Sequence, residues 1–282
     1  MPYLDLAVPA FRAKFGRAPF IVQHRLATHS LFALPRLVEL ARSLPAAKVE
    51  WNSGDVPVSL DPSQTPRNGL SPEETIRRIE ACSSWLVLKN VERDPEYAQL
   101  LQRCLGEVER EGRDLTAGMH GFESFIFVSS PDAITPYHMD PEENFLLQIR
   151  GRKVMRIFER SVVSALELER FHTGAHRNLV YRDEYAARAR AFTLMPGVGV
   201  HVPVSAPHWV KNGPEVSVSF SITFRTRASA RAAHAHQMNA LLRKLGLEPA
   251  PVGESAILDR MKELAYKIKR ARPLVAPSVL RT

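Results

Sequence analysis

Apolar and polar positions along the chain change period twice, near residue 120 and again near residue 225. In the first stretch, Leu34-Pro35-Arg36-Leu37-Val38-Glu39-Leu40-Ala41 has helical spacing, with Pro35 where a first turn tolerates it. Asn52 to Asn68 is polar with Pro and Ser, and reads as loop and short strand. Ser71-Pro72-Glu73-Glu74 is a helix start: the serine caps, the proline fits the first position and the acids complement the dipole. That helix is predicted to run to about Ala81. Trp85-Leu86-Val87-Leu88 reads as a short strand. Asp94-Pro95-Glu96 opens a further helix, with Tyr97, Leu100, Leu101, Cys104, Leu105 and Val108 on one face.

From Phe122 the signals become strand-like. The runs are Phe125–Val128, Phe145–Ile149, Val154–Phe158, Gly199–Val202 and Val216–Phe220, separated by turns at Pro131-Asp132, Arg150-Gly151, Pro196-Gly197 and Asn212-Gly213-Pro214. Glu159 to Arg190 interrupts them as a long, partly helical insertion. After Arg225 the chain turns helical, over Ser229–Leu245 with Gly246 as the terminating glycine, and over Ser255–Arg270. In the second of these helices Ile257, Leu258, Met261, Leu264 and Ile268 form one apolar stripe. The predicted fold is mainly β with flanking helices, a sandwich or jelly roll. Its regions are a mixed α/β stretch packing on the core (1–120), the β core (121–226) and a basic helical region (227–282).

Composition narrows the class. The 282 residues are 45% hydrophobic and 24% charged, which excludes a disordered chain or a collagen. No apolar run reaches the ~18 residues of a membrane span, so no membrane role is expected. MPYLDLAVPAFRAKF carries Asp5 and lacks a basic-then-apolar signal, and only Cys82 and Cys104 occur, so a reducing cytoplasm is expected. Residues 225–282 hold twelve Lys and Arg, Arg272 and Arg281 among them, against four acids. Twelve minus four equals the whole net charge of +8. The basicity belongs to the tail, where a solvated helix face explains it better than a nucleic-acid partner.

Candidate chemistry sits in Thr135-Pro136-Tyr137-His138-Met139-Asp140. On a strand, residues two apart share a face, so His138 and Asp140 can bind one ion together. With ten His and thirty acidic residues, chance alone yields about one His-x-acid triplet. His208, in Pro207-His208-Trp209-Val210, changes that weight. Two imidazoles and one carboxylate make the facial triad that suits non-heme Fe(II), with three positions left open. His201 competes as a ligand but reads as a packed strand histidine. His172 and His176, four apart, could pair on a helix but lack a third ligand.

The run His138-Met-Asp140-Pro-Glu-Glu-Asn144-Phe-Leu-Leu-Gln148-Ile-Arg-Gly151-Arg-Lys153 resembles the JmjC-type, cupin-like 2-oxoglutarate oxygenases. It is especially similar to those that hydroxylate an asparagine of the hypoxia-inducible factor. Met195-Pro196-Gly197, Val202-Pro203 and Pro207-His208-Trp209-Val210-Lys211-Asn212 resemble the second half of the pattern, and the likeness spans about Phe122 to Phe224. It implies a double-stranded β-helix with Fe(II) on His138, Asp140 and His208. It further implies 2-oxoglutarate paired with Lys153 and Thr135, with Asn144 near that cosubstrate, and O2 as second cosubstrate. A buried lysine needs such an anion on physical grounds as well. Two departures stand out: the family's tyrosine to the distal carboxylate has no counterpart, and a late-strand asparagine is replaced by Ser219 or Ser221.

The activity implied is hydroxylation of a C–H bond on a protein or peptide side chain or a small metabolite, with succinate and CO2 as co-products. Demethylation follows where the carbon is an N-methyl group. The competing readings are a non-redox cupin-type isomerase and a metal-binding regulatory module. Neither needs Lys153 or Thr135. The apolar stripe of the last helix must bury against something. The two options are the chain's own N-terminal helices and a second subunit, in a homodimer through the C-terminal helices.

Overall fold

The computed structural model describes residues 1–271. Arg272 and Arg281 of the basic tail lie outside the described residues. The N-terminal region contains β1 (Leu4–Asp5), α1 (Val8–Lys14), β2 (Phe20–His24), α2 (Leu34–Ser43), β3 (Val49–Ser53), α3 (Pro72–Arg77), β4 (Ser84–Lys89) and α4 (Pro95–Gly112). The middle contains β5 (His120–Ser129), β6 (Ile134–His138), β7 (Glu143–Arg150), β8 (Lys153–Phe158), α5 (Ala165–His172), β9 (Ala189–Leu194), β10 (Val198–Val202), β11 (His208–Asn212) and β12 (Ser217–Arg225). α6 (Arg227–Lys244) and α7 (Ala256–Ala271) follow. No described helix is long and apolar enough to cross a membrane.

The described chain divides into two compact units. One is residues 1–162 with 176–227; the other is residues 163–175 with the chain from 228 onward. The first unit is a jelly roll of two antiparallel sheets. Eight strands run in the order β1-β2-β10-β7-β12-β5-β4-β3, and four in the order β6-β11-β8-β9. Strands from the N-terminal region therefore extend the larger sheet at both edges.

Two apolar cores follow from side-chain alternation. Leu146, Val200 and Val202 of the larger sheet meet Met155, Ile157, Leu194 and Val210 of the smaller one, which fills the space between the sheets. On the other face of the larger sheet, Phe145, Leu147, Phe220 and Phe224 bury with α1, α2 and α4 through Phe11, Leu37, Leu40, Tyr97, Leu101 and Val108. The expected caps form: Ser71 Oγ accepts from the Glu74 amide, and an Asp94 carboxylate oxygen accepts from the Glu96 amide. The α3 helix stops at Arg77, short of Ala81, and the chain continues as turns.

In the second unit, Ser164 and Glu167 form a reciprocal capping box on α5. Glu169 is buried against Arg243 at 2.8 Å. The α7 helix is inverted relative to its pattern. Asp259 accepts from the Gly253 amide, and Lys262 donates to the Ala250 carbonyl, both side chains being buried. Ile257, Leu258, Met261, Leu264 and Ile268 stay exposed.

Candidate metal centre

β6 and β11 lie side by side in the small sheet, antiparallel, with His208 directly opposite His138. The bulge beyond this pair puts Thr135 opposite Val210. Asp140 follows β6 by two residues. Its carbonyl accepts from the Ser205 amide at 2.8 Å, which ties the exit of β6 to the turn before β11. Ser205 holds φ +57°, the left-handed value that lets the chain reverse there.

Hydrogen bonds set the tautomers of both imidazoles. His138 Nδ1 is 2.7 Å from the Pro136 carbonyl, and His208 Nδ1 is 2.9 Å from the Ala206 carbonyl. A carbonyl only accepts, so each Nδ1 carries the proton and each Nε2 keeps a lone pair. Asp140 Oδ2 lies 3.7 Å from His138 Nε2 and 3.5 Å from His208 Nε2. One donor atom from each residue falls within 4.8 Å of the others. Two neutral imidazoles and one carboxylate crowded this closely fit a divalent ion bound on one face.

Electrostatics favour the same state. Burial pushes His138 down to about 3, helped by the neighbouring His208. Burial lowers His208 as well. Both rings are therefore neutral and ready to ligate near pH 7. Burial works to raise Asp140, but His138 and Arg177 outweigh it and hold the carboxylate below its usual range.

Lys153 opens β8 and shares a face with Met155 and Ile157, the face that looks between the sheets. It is 5% exposed, and its ammonium has no ion-pair or hydrogen-bond partner among the described residues. Burial pushes it down to about 7. An unpaired buried ammonium costs several kcal/mol, so the position calls for an anion. Asn144 lies on the face of β7 shared with Leu146 and accepts from Ser221 Oγ at 2.8 Å. Ser219 instead donates to Gln148 Oε1 at 2.6 Å. Of the two serines, Ser221 is the one beside Asn144. Thr135 is half-buried on β6.

The other histidines separate from the centre. His201 is fully buried with its Nε2 2.9 Å from Glu143 Oε2, and it packs against Phe15, Phe20 and Phe145. His172 is the last residue of α5, and His176 lies beyond the helix, so the two share no helical face. One site residue had no sequence signal. Arg177 reaches Asp140 Oδ1 at 3.4 Å from a loop thirty-seven positions away.

No family model matches the chain. It is 26% identical over 141 residues to lysine-specific demethylase 8 of Xenopus tropicalis, covering 46% of this chain and 28% of that protein. The Danio rerio protein of the same name matches at 26% over 146 residues, covering 49% and 32%. The chain thus spans about a third of the length of the curated relatives it matches. The X-ray structure of Escherichia coli YcfD superposes with a TM-score of 0.54 at 17% identity, covering 97% of this chain and 70% of that one. The fold is that of YcfD, a jelly roll with flanking helices. A second YcfD structure, described as a ribosomal oxygenase in complex with cobalt and 2-oxoglutarate, gives 0.53 at 18% identity, covering 96% and 68%. In this fold the His138–Asp140–His208 cluster lies where β6 and β11 meet.

Proposed function

We propose that the chain is an Fe(II)- and 2-oxoglutarate-dependent oxygenase that hydroxylates a C–H bond of a protein or peptide side chain or of a small metabolite. The observation that carries this reading is a three-donor cluster in the same fold unit as a buried lysine that has no partner among the described residues. A structural metal site closes its coordination sphere, whereas three donors leave half an octahedron open. Cobalt and 2-oxoglutarate in the YcfD complex support the choice of ligands.

His138, Asp140 and His208 would hold the iron, and Lys153 would pair with the distal carboxylate of the 2-oxo acid. Bound together with O2, these supply an oxidative decarboxylation that yields succinate and CO2 and places one oxygen on the substrate carbon. The chain's own work is binding and positioning. Asn144 and Ser221 present a fixed polar pair on the inner face of the larger sheet, and the apolar residues between the sheets exclude water. A non-redox isomerase or a metal-binding module gives no reason to bury Lys153 without a counter-ion. A cytoplasmic setting suits ferrous iron and two free cysteines.

The exposed α7 stripe supports a homodimer through the C-terminal helices, since five large apolar side chains on one face favour a partner surface.

The deciding assay is succinate formation by the Fe(II) protein with 2-oxoglutarate and O2. Formation above a His138→Ala control supports the oxygenase. Tight metal binding with no 2-oxoglutarate binding would favour the isomerase or module.

A further inference from the structure

The segment 176–181 is pinned beside β6. The Met139 amide donates to the Arg177 carbonyl at 3.2 Å, and the Leu179 amide donates to the Tyr137 carbonyl at 3.0 Å. His138 forms an isolated β-bridge with Asn178. Asn178 Nδ2 donates to the Leu60 carbonyl, and the Tyr181 amide donates to Ser59 Oγ. Arg177 is therefore held alongside the residues between the two metal-strand ligands.

Its guanidinium divides the labour of the Asp140 carboxylate. Arg177 Nη1 lies 3.4 Å from Oδ1, while Oδ2 faces both imidazoles at 3.5 and 3.7 Å. Asp140 is the ion-pair partner of Arg177 among the described residues. A carboxylate can ligate an ion through one oxygen or through both. If Asp140 used both, one of the three remaining positions would be filled, and a chelating cosubstrate plus O2 needs all three.

We propose that Arg177 is a positioning residue that occupies Asp140 Oδ1 and so keeps this aspartate a one-oxygen metal ligand. Guanidinium suits the task because it stays charged at any physiological pH and presents several donors from a rigid plane. The proposal rests on the reading of His138, Asp140 and His208 as a metal centre.

The sign of the effect separates this role from mere support. Arg177 competes with the metal for the carboxylate, so its loss frees the second oxygen rather than weakening the first. The test uses cobalt(II) as probe in the full chain, with Arg177→Met, Arg177→Lys and wild type compared by visible absorption and titration. Arg177→Met should bind cobalt as tightly as wild type or more tightly, with an altered cobalt spectrum before any 2-oxoglutarate is added. Its 2-oxoglutarate affinity should fall about tenfold or more, within the range that outer-sphere partners command. Arg177→Lys should restore the wild-type spectrum. Weaker cobalt binding with an unchanged spectrum in Arg177→Met would overturn the proposal, as would a wild-type spectrum with wild-type 2-oxoglutarate affinity. Should Arg177→Met lose its native circular dichroism, Arg177→Gln decides by the same readings. If wild type binds cobalt but no 2-oxoglutarate, the proposed oxygenase activity fails, while the cobalt spectra still decide the role of Arg177.

Discussion

His208 faces His138 across the β6–β11 pair, ring centroids 4.2 Å apart, and each ring ties its Nδ1 proton to the carbonyl two residues before it. The arrangement leaves the Nε2 lone pair of each ring for the proposed ion. His138→Ala or Asp140→Ala should abolish stoichiometric iron or cobalt binding with the fold retained. Metal analysis after gel filtration checks it, and near-stoichiometric metal in either variant would sink the site.

Lys153 predicts opposite effects on binding and stability. Losing one partner of a buried charge pair costs on the order of 3–5 kcal/mol, so Lys153→Ala should weaken 2-oxoglutarate binding roughly a hundredfold or more. Metal binding should persist. Without ligand, the buried ammonium has no counter-charge among the described residues, so Lys153→Met should melt higher than wild type. Calorimetry with and without 2-oxoglutarate reads both effects.

Gly151 joins β7 to β8 two residues before Lys153. Its φ is +70°, and an added Cβ would lie 2.4 Å from the Val216 carbonyl oxygen. Backbone cannot yield as a flexible side chain does. Gly151→Ala should therefore destabilise by about 2 kcal/mol or more, measured as a lower urea midpoint. Equal stability would show that the turn can rearrange.

His24 makes the fold acid-sensitive. Burial pushes it down to about 4 from an ordinary 6.5. Above pH 6.5 neither state is protonated, and its effect on stability is nil. Between about 6.5 and 4 the unfolded chain takes up a proton that the native chain refuses, so stability falls with pH. The loss is complete below about 4 and amounts to about 3 kcal/mol at most. His24→Gln should flatten the decline in urea midpoint between pH 7 and pH 4. An unchanged slope would mean that other groups govern it.

The α7 stripe predicts association. The 282-residue chain should sediment as a dimer at micromolar concentration, and Met261→Glu with Leu264→Glu should make it a monomer. A wild-type monomer under these conditions would end the dimer proposal.

The sequence by itself determined what local chemistry determines. Strand and helix signals came from side-chain period, caps from Ser71 and Asp94, and the His138–Asp140 pair from a spacing of two on a strand. The edge strand β1 and its neighbour β2 are not legible, because such short segments become strands only through their neighbours' backbone. The pattern carries the insertion to Arg190, yet β9 begins at Ala189 through pairing with β8. Tertiary structure alone decided the remainder. It brought His208 onto His138 across seventy positions, chose Ser221 over Ser219 beside Asn144, and set Arg177 on Asp140. It also turned the polar face of α7 inward, against its apolar pattern. Periodicity reports which face of an element is apolar, while the surface that meets each face depends on contacts distant in the chain.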